Sequence, residues 1–172
     1  MKKRSGSKRH ATRTLSHLEA GSKGASSRMV DVSKKRVSAR SAIARARIVF
    51  PPGALERVLA AQGPKGPVEE VARAAGLLAA KRTGELIPMC HPLGLEHLAL
   101  DFVRVGPDRL EVRCRAACRG RTGVEMEAML GAALAALTVY DMTKGLDHGI
   151  RIEALELLEK RGGSSGTWRA RP

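Results

Sequence analysis

The chain reads as an α+β sandwich, one antiparallel sheet covered by helices, and three observations predict it. Two alternating stretches flank Gly106-Pro107-Asp108, the strongest hairpin signal present. Two long stretches at helical period, residues 68–82 and 121–145, each lie between candidate strands. With 2% aromatic residues, the core must come from Ala, Leu, Val, Ile and Met.

Taken in order, Met29-Val-Asp-Val-Ser33 starts the ordered region. Residues 40–49 alternate, with Ala42, Ala44, Ala46 and Ile48 on one face, and read as a strand. Phe50-Pro-Pro-Gly53 breaks it, and residues 54–61 form a short helix closed by the loop Gly63-Pro-Lys-Gly-Pro67. Residues 68–82 carry Val68, Val71, Ala72, Ala75 and Ala79 on one side of an amphipathic helix. Ile87-Pro-Met-Cys-His-Pro-Leu93 cannot be helical across its two prolines, and an apolar, irregular loop of this kind usually lines something. Strands at 97–105 and 109–118 follow; the second points Leu110, Val112, Cys114, Ala116 and Cys118 in, and Glu111, Arg113 and Arg115 out. A last strand at 150–158 precedes a flexible glycine-rich loop, residues 161–166. The order is that of a split βαβ, or ferredoxin-like, sandwich (β-αα-β-β-α-β).

Residues 121–145 ask for the most explanation. Thr122 with Glu125 forms a capping-box start, and Gly145 is a plausible stop. Glu127, Leu130, Leu134, Leu137, Asp141 and Lys144 fall within about 100° of one another on a helical wheel, which predicts a core-facing leucine stripe. A helix needing only to pack would not put Asp141 and Lys144 on that stripe, because buried charge is costly unless paired. A partly enclosed carboxylate and ammonium tune one another toward proton transfer. Glu125 has a structural role in the cap; Glu127 has none. Glu127 and Asp141 lie about 21 Å apart along a helix, so they share a ligand only if it is long, or if helices from different subunits combine.

The 172 residues suit one domain plus a tail, and the net charge of +14 divides unevenly. Residues 1–28 hold eight Lys/Arg against Glu19 alone; the other 144 residues hold 23 basic against 16 acidic. Residues 1–28 therefore read as a disordered basic tail, and 29–172 as a single catalytic domain. The tail lacks the apolar region of a secretory signal, and no run approaches a membrane span. Three cysteines, an odd count, read as reduced thiols of a cytoplasmic protein.

Cys90-His91 invites a metal reading with His97, Cys114 and Cys118, but the last two lie four apart on one strand face. Their Cα atoms are roughly 13 Å apart, too far for a shared zinc, so no metal site is expected. His91 divides evenly between fixing its loop and touching a ligand. Lys65 is either a solvated loop lysine or a cation held on a stiff loop; Lys160 and Arg161 share that ambiguity beside a glycine run that could cradle an anion. A non-catalytic basic nucleotide- or RNA-binding module is the alternative class. Such modules stack bases on strand aromatics, and the candidate strands offer only Phe50 and Phe102, so no specific nucleic-acid partner is expected.

Met29-Val-Asp-Val-Ser33, Lys81-Arg-Thr-Gly-Glu-Leu-Ile-Pro-Met-Cys-His-Pro-Leu93, Arg121-Thr-Gly-Val-Glu-Met-Glu-Ala128 and Ala135-Ala-Leu-Thr-Val-Tyr-Asp-Met-Thr-Lys144 together resemble the cyclic pyranopterin monophosphate synthase family of molybdenum cofactor biosynthesis. The likeness runs from about residue 29 to about residue 167. It implies a ferredoxin-like lyase that converts (8S)-3′,8-cyclo-7,8-dihydroguanosine 5′-triphosphate to cyclic pyranopterin monophosphate and diphosphate, without a cofactor. It implies a homohexamer, a trimer of dimers, with sites at dimer interfaces. By motif, Asp141 is the catalytic acid/base and Lys65 and Lys144 the catalytic lysines. Met89, Cys90, His91, Met126 and Glu127 contact substrate, and Arg40, His91 and Lys160 hold its anionic part. Two departures stand out: Gly84-Glu85 where a bulky residue and Asp are common, and Ser164 where a lysine is frequent.

Overall fold

The computed structural model describes residues 18–21, 24–60 and 67–171. A unit ending at residue 30 contains a two-stranded antiparallel hairpin, β1 (Leu18–Gly21) with β2 (Gly24–Ser27). Part of the segment expected to be disordered thus has strand pairing.

From residue 31 onward the chain forms a second unit. Its strands are β3 (Ser38–Val49), β4 (His97–Arg104), β5 (Arg109–Gly120), β6 (Arg151–Arg161) and β7 (Trp168–Arg169). They make one antiparallel sheet in the order β4-β5-β3-β6-β7. Its helices are α1 (Ala54–Ala60), α2 (Val68–Lys81), α3 (Thr83–Leu86) and α4 (Glu125–Thr143). Strand β5 lies between β3 and β4, and β3 lies between β5 and β6, so each helical crossover skips a strand. That is the ferredoxin-like arrangement the element order predicts. The β4–β5 hairpin turns at Gly106 (φ 125°), closed by the Val105 amide on the Arg109 carbonyl at 3.0 Å. Two short elements, α3 and β7, had no sequence signal of their own.

The alternation of β3 and β5 explains their burial. Ala42, Ala44, Ala46 and Ile48 of β3 and Leu110, Val112, Cys114, Ala116 and Cys118 of β5 are all buried, on one face of the sheet. Each Val, Leu or Ile fully buried there contributes about 1.5–3 kcal/mol.

Helix α4 covers that face, but not with its leucines. Its buried residues are Ala128, Gly131, Ala132, Ala135, Ala136, Val139 and Thr143, with Glu127. Leu130 and Leu134 are half-buried and Leu137 is 52% exposed. The predicted core-facing leucine stripe is therefore turned outward. The physical reason is close approach. A Cβ on Gly131 would stand 2.7 Å from the Cys114 sulfur, and one on Gly76 of α2 would stand 2.7 Å from the Gly131 carbonyl oxygen. Small residues let the helix lie on the sheet and against α2 at distances that leucine would prevent.

The start of α4 also departs from expectation. Val124 is the N-cap and no side chain caps the helix. Glu125 is the first helical residue, and its carboxylate folds back so far that a Cβ on Gly123 would collide with it. The capping box fails because the helix begins at Glu125, three residues past Thr122, so Glu125 is the first helical residue and not the third.

Candidate active site

One end of α4 gathers most of the expected site residues. Glu127 is 3% exposed, and burial pushes its carboxyl up to about 7. A backbone hydrogen bond opposes that shift and the charge of Glu125 adds to it. A carboxyl poised there exchanges a proton near neutrality. Glu127 lines a cleft of about 290 Å³ with Lys81, Thr83, Glu85, Pro92 and Leu93.

The proline-rich loop reaches this end through α3. The Ile87 amide bonds to the Thr83 carbonyl oxygen at 2.9 Å, and the Cys90 amide to the Ile87 carbonyl oxygen at 2.9 Å. Met89, Cys90 and His91 are half-buried on the resulting turn. Gly84 lets the turn close, since a Cβ there would stand 3.1 Å from the Pro92 Cα. Burial pushes the Cys90 and Cys118 thiols up, and in both cases the Glu127 charge adds to the effect. Glu127, the Cys90 loop and the end of β5 therefore share one electrostatic neighbourhood.

Two cations stand beside them. Arg40 of β3 donates from Nε to the Gly120 carbonyl oxygen at 2.9 Å and from an Nη to that of Arg121 at 3.1 Å. Lys160 of β6 pairs in register with Ala42, so it shares a sheet face with Arg40, two residues earlier on β3. Lys160 bonds to Ser165 and lies 3.8 Å from Glu125. Ser165 was not singled out from the sequence, and Glu125 was read there only as a cap. The signal for Glu125 was Gly123, which leaves the carboxylate room to turn back. Met126, 38% exposed, is on the same first turn of α4.

The other end of α4 presents the acid–base pair. Lys144 Nζ donates to Asp141 Oδ1 at 2.6 Å, and both side chains are exposed. The hydrogen bond and charge of Asp141 raise the Lys144 pKa. This pair is not enclosed within one chain, because the stripe that carries it faces outward. Lys65 lies outside the described residues.

The buried thiols of Cys114 and Cys118 are core groups. Among the described residues, no cluster of three or more His, Cys, Asp or Glu side chains is placed to hold a metal ion. Among them, too, no helix is long and apolar enough to cross a membrane.

The ferredoxin-like α+β sandwich, with Arg40, Lys160 and the Glu127 carboxyl at one end of α4 and the Asp141–Lys144 ion pair at the other, defines the structural class. Comparison with known proteins narrows the class. The family profile described as "MoaC family" matches residues 29–163. A protein of Chloroflexus aggregans named cyclic pyranopterin monophosphate synthase is 49% identical over 158 residues, covering 90% of this chain and 92% of its own length. One of Novosphingobium aromaticivorans with the same name is 49% identical over 156 residues, covering 91% and 97%. A third, from Desulforapulum autotrophicum, is 51% identical over 144 residues, covering 83% and 88%. The chain belongs to the MoaC family.

Proposed function

We infer that this chain is a lyase of molybdenum cofactor biosynthesis. It converts (8S)-3′,8-cyclo-7,8-dihydroguanosine 5′-triphosphate to cyclic pyranopterin monophosphate and diphosphate. The observation that carries the inference is family membership, with relatives of that name near 49% identity over about 90% of the chain. Nothing favours the binding-module alternative.

For the site, Asp141 moves protons, with Lys144 holding it in place and Lys65 as a second catalytic lysine. Support comes from the 2.6 Å Asp141–Lys144 contact, whose hydrogen bond and charge raise the lysine pKa and favour the ammonium beside the carboxylate. Such a cation stabilises negative charge developing on a phosphate or alkoxide oxygen. Arg40, His91 and Lys160 hold the anionic part of the substrate; Met89, Cys90, Met126 and Glu127 complete the contact surface. A triphosphate needs several fixed cations, and Arg40 and Lys160 on one sheet face answer that need. Glu127, with its carboxyl near 7, exchanges a proton with the substrate without a large driving force.

The two ends of α4 lie too far apart to serve one reacting centre in a single chain. We therefore place complete sites between subunits of a homohexamer, a trimer of dimers, in the cytoplasm. The outward leucines of α4 supply apolar surface for such a contact. The deciding assay supplies the cyclised nucleotide to purified protein and measures pterin product with diphosphate release. Turnover, lowered at least about a hundredfold in Asp141→Asn and Lys144→Ala, is expected. No turnover by the wild type would refute the function, and full activity in both variants would refute the site.

A further inference from the structure

We propose that Ser165 is a positioning residue for Lys160, holding its ammonium on the face it shares with Arg40, away from Glu125. The proposal rests on the reading that Lys160 binds the anionic part of the substrate. Lys160 has two neighbours of different strength: it donates a hydrogen bond to Ser165 Oγ, whereas the nearer Glu125 carboxylate oxygen stands at 3.8 Å, beyond hydrogen-bond range. The Lys160 side chain is 23% exposed and that of Glu125 28%, so neither contact is fully screened by water.

The loop that brings Ser165 there is built for the purpose. Strands β6 and β7 pair Lys160 with Trp168, so residues 161–167 form the turn that reverses the chain between them. Gly162 and Gly163 take φ values of 92° and 72°, in the left-handed region that favours glycine. A Cβ on Gly163 would stand 2.5 Å from an Arg40 Nη, and one on Gly162 would collide with the Ala39 carbonyl oxygen. The Gly166 amide closes the turn on the Gly163 carbonyl oxygen at 3.2 Å. The loop is thereby seated against Arg40 on one side and returns Ser165 to Lys160 on the other. By register, Arg40 and Lys160 are diagonal neighbours roughly 7–8 Å apart at their Cα atoms, a spacing that lets two cations act on one polyphosphate.

Without the Ser165 hydroxyl, the remaining attraction on Lys160 among the described residues is Glu125. The ammonium then moves toward that carboxylate, and an incoming phosphate must compete with it. Ser165→Ala should raise KM for the cyclised nucleotide, and the inhibition constant of inorganic diphosphate, by about threefold to tenfold, with the effect falling on KM rather than kcat. Ser165→Thr, which keeps the hydroxyl, should restore both values. Adding Glu125→Gln to Ser165→Ala should recover part of the loss, which a merely structural role for the loop would not allow. Wild-type diphosphate inhibition in Ser165→Ala, beside weakened inhibition in Lys160→Ala, would overturn the positioning role alone. Unchanged inhibition in Lys160→Ala would overturn the reading of Lys160, and the proposal with it.

Discussion

Glu127 should make the protein less stable as pH rises, and replacing it by Gln should remove that dependence. The carboxyl is nearly fully buried, and burial lifts its pKa from 4.5 to about 7. Around it stand Glu125 on its own helix and the thiols of Cys90 and Cys118 on neighbouring elements, and none of these neutralises a carboxylate. Below pH 4.5 the folded and unfolded chains both hold the proton, so there is no penalty. Between 4.5 and about 7 the unfolded chain releases it and the folded chain does not, so stability falls as pH rises. Above about 7 the penalty is constant. The span from 4.5 to about 7 corresponds to about 3 kcal/mol at 1.36 kcal/mol per pH unit. Glu127→Gln keeps the shape and cannot ionise, so the stability gap between variant and wild type should widen in the variant's favour by about 3 kcal/mol from about pH 4 to about pH 8. Urea unfolding at a fixed protomer concentration measures it, since assembly shifts apparent stability. A gap independent of pH, or one that closes as pH rises, would refute the reasoning.

Two further perturbations test the packing. Glu111, buried on the outer face of β5, is held below the usual carboxylate range: burial opposes this, but the Arg113 and Arg47 hydrogen bonds and the Arg113 and Arg45 charges outweigh it. Glu111→Ala leaves those arginines without their shared carboxylate and should cost about 3–5 kcal/mol in urea unfolding at neutral pH. Because the native pKa is lowered, the stabilising contribution is present above 4.5 and is lost as pH falls through the native value, so the deficit should shrink in acid. Gly131→Ala pushes a methyl to 2.7 Å from the Cys114 sulfur and should cost about 1–3 kcal/mol, read as a lowered Tm. An unchanged Tm would show that α4 can lift from the sheet freely.

The sequence carried most of the framework because alternation and turn chemistry are local. The inward set on β5 and the Gly106 turn were legible for that reason. Which face of α4 is buried was not. Hydrophobicity ranks leucine above alanine, yet contact distance at Gly76 and Gly131 selects the small-residue face, and that distance belongs to the pair of helices rather than to either one. Glu111 reads as an outward strand residue, and it does point to the outer face, but its arginines arrive from both β3 and β5 and bury it. Around the start of α4, the Glu127 charge acts on Cys90 and Cys118, and Lys160 shares a sheet face with Arg40, proximities that no single motif carries. Glu125 was misread as a cap because the helix starts at Glu125 itself, three residues past Thr122, and helix ends are weakly marked by local sequence.

The central claim, that each site takes one end of α4 from each of two subunits, is tested most directly by subunit complementation. Asp141→Asn and Lys160→Ala proteins, each expected to be much less active alone at subsaturating substrate, would be unfolded together and reassembled. A two-fold interface then gives every mixed dimer one intact site and one doubly altered site, so random mixing should recover about a quarter of wild-type activity. Reassembled mixed oligomers with no more activity than either parent would contradict the shared site.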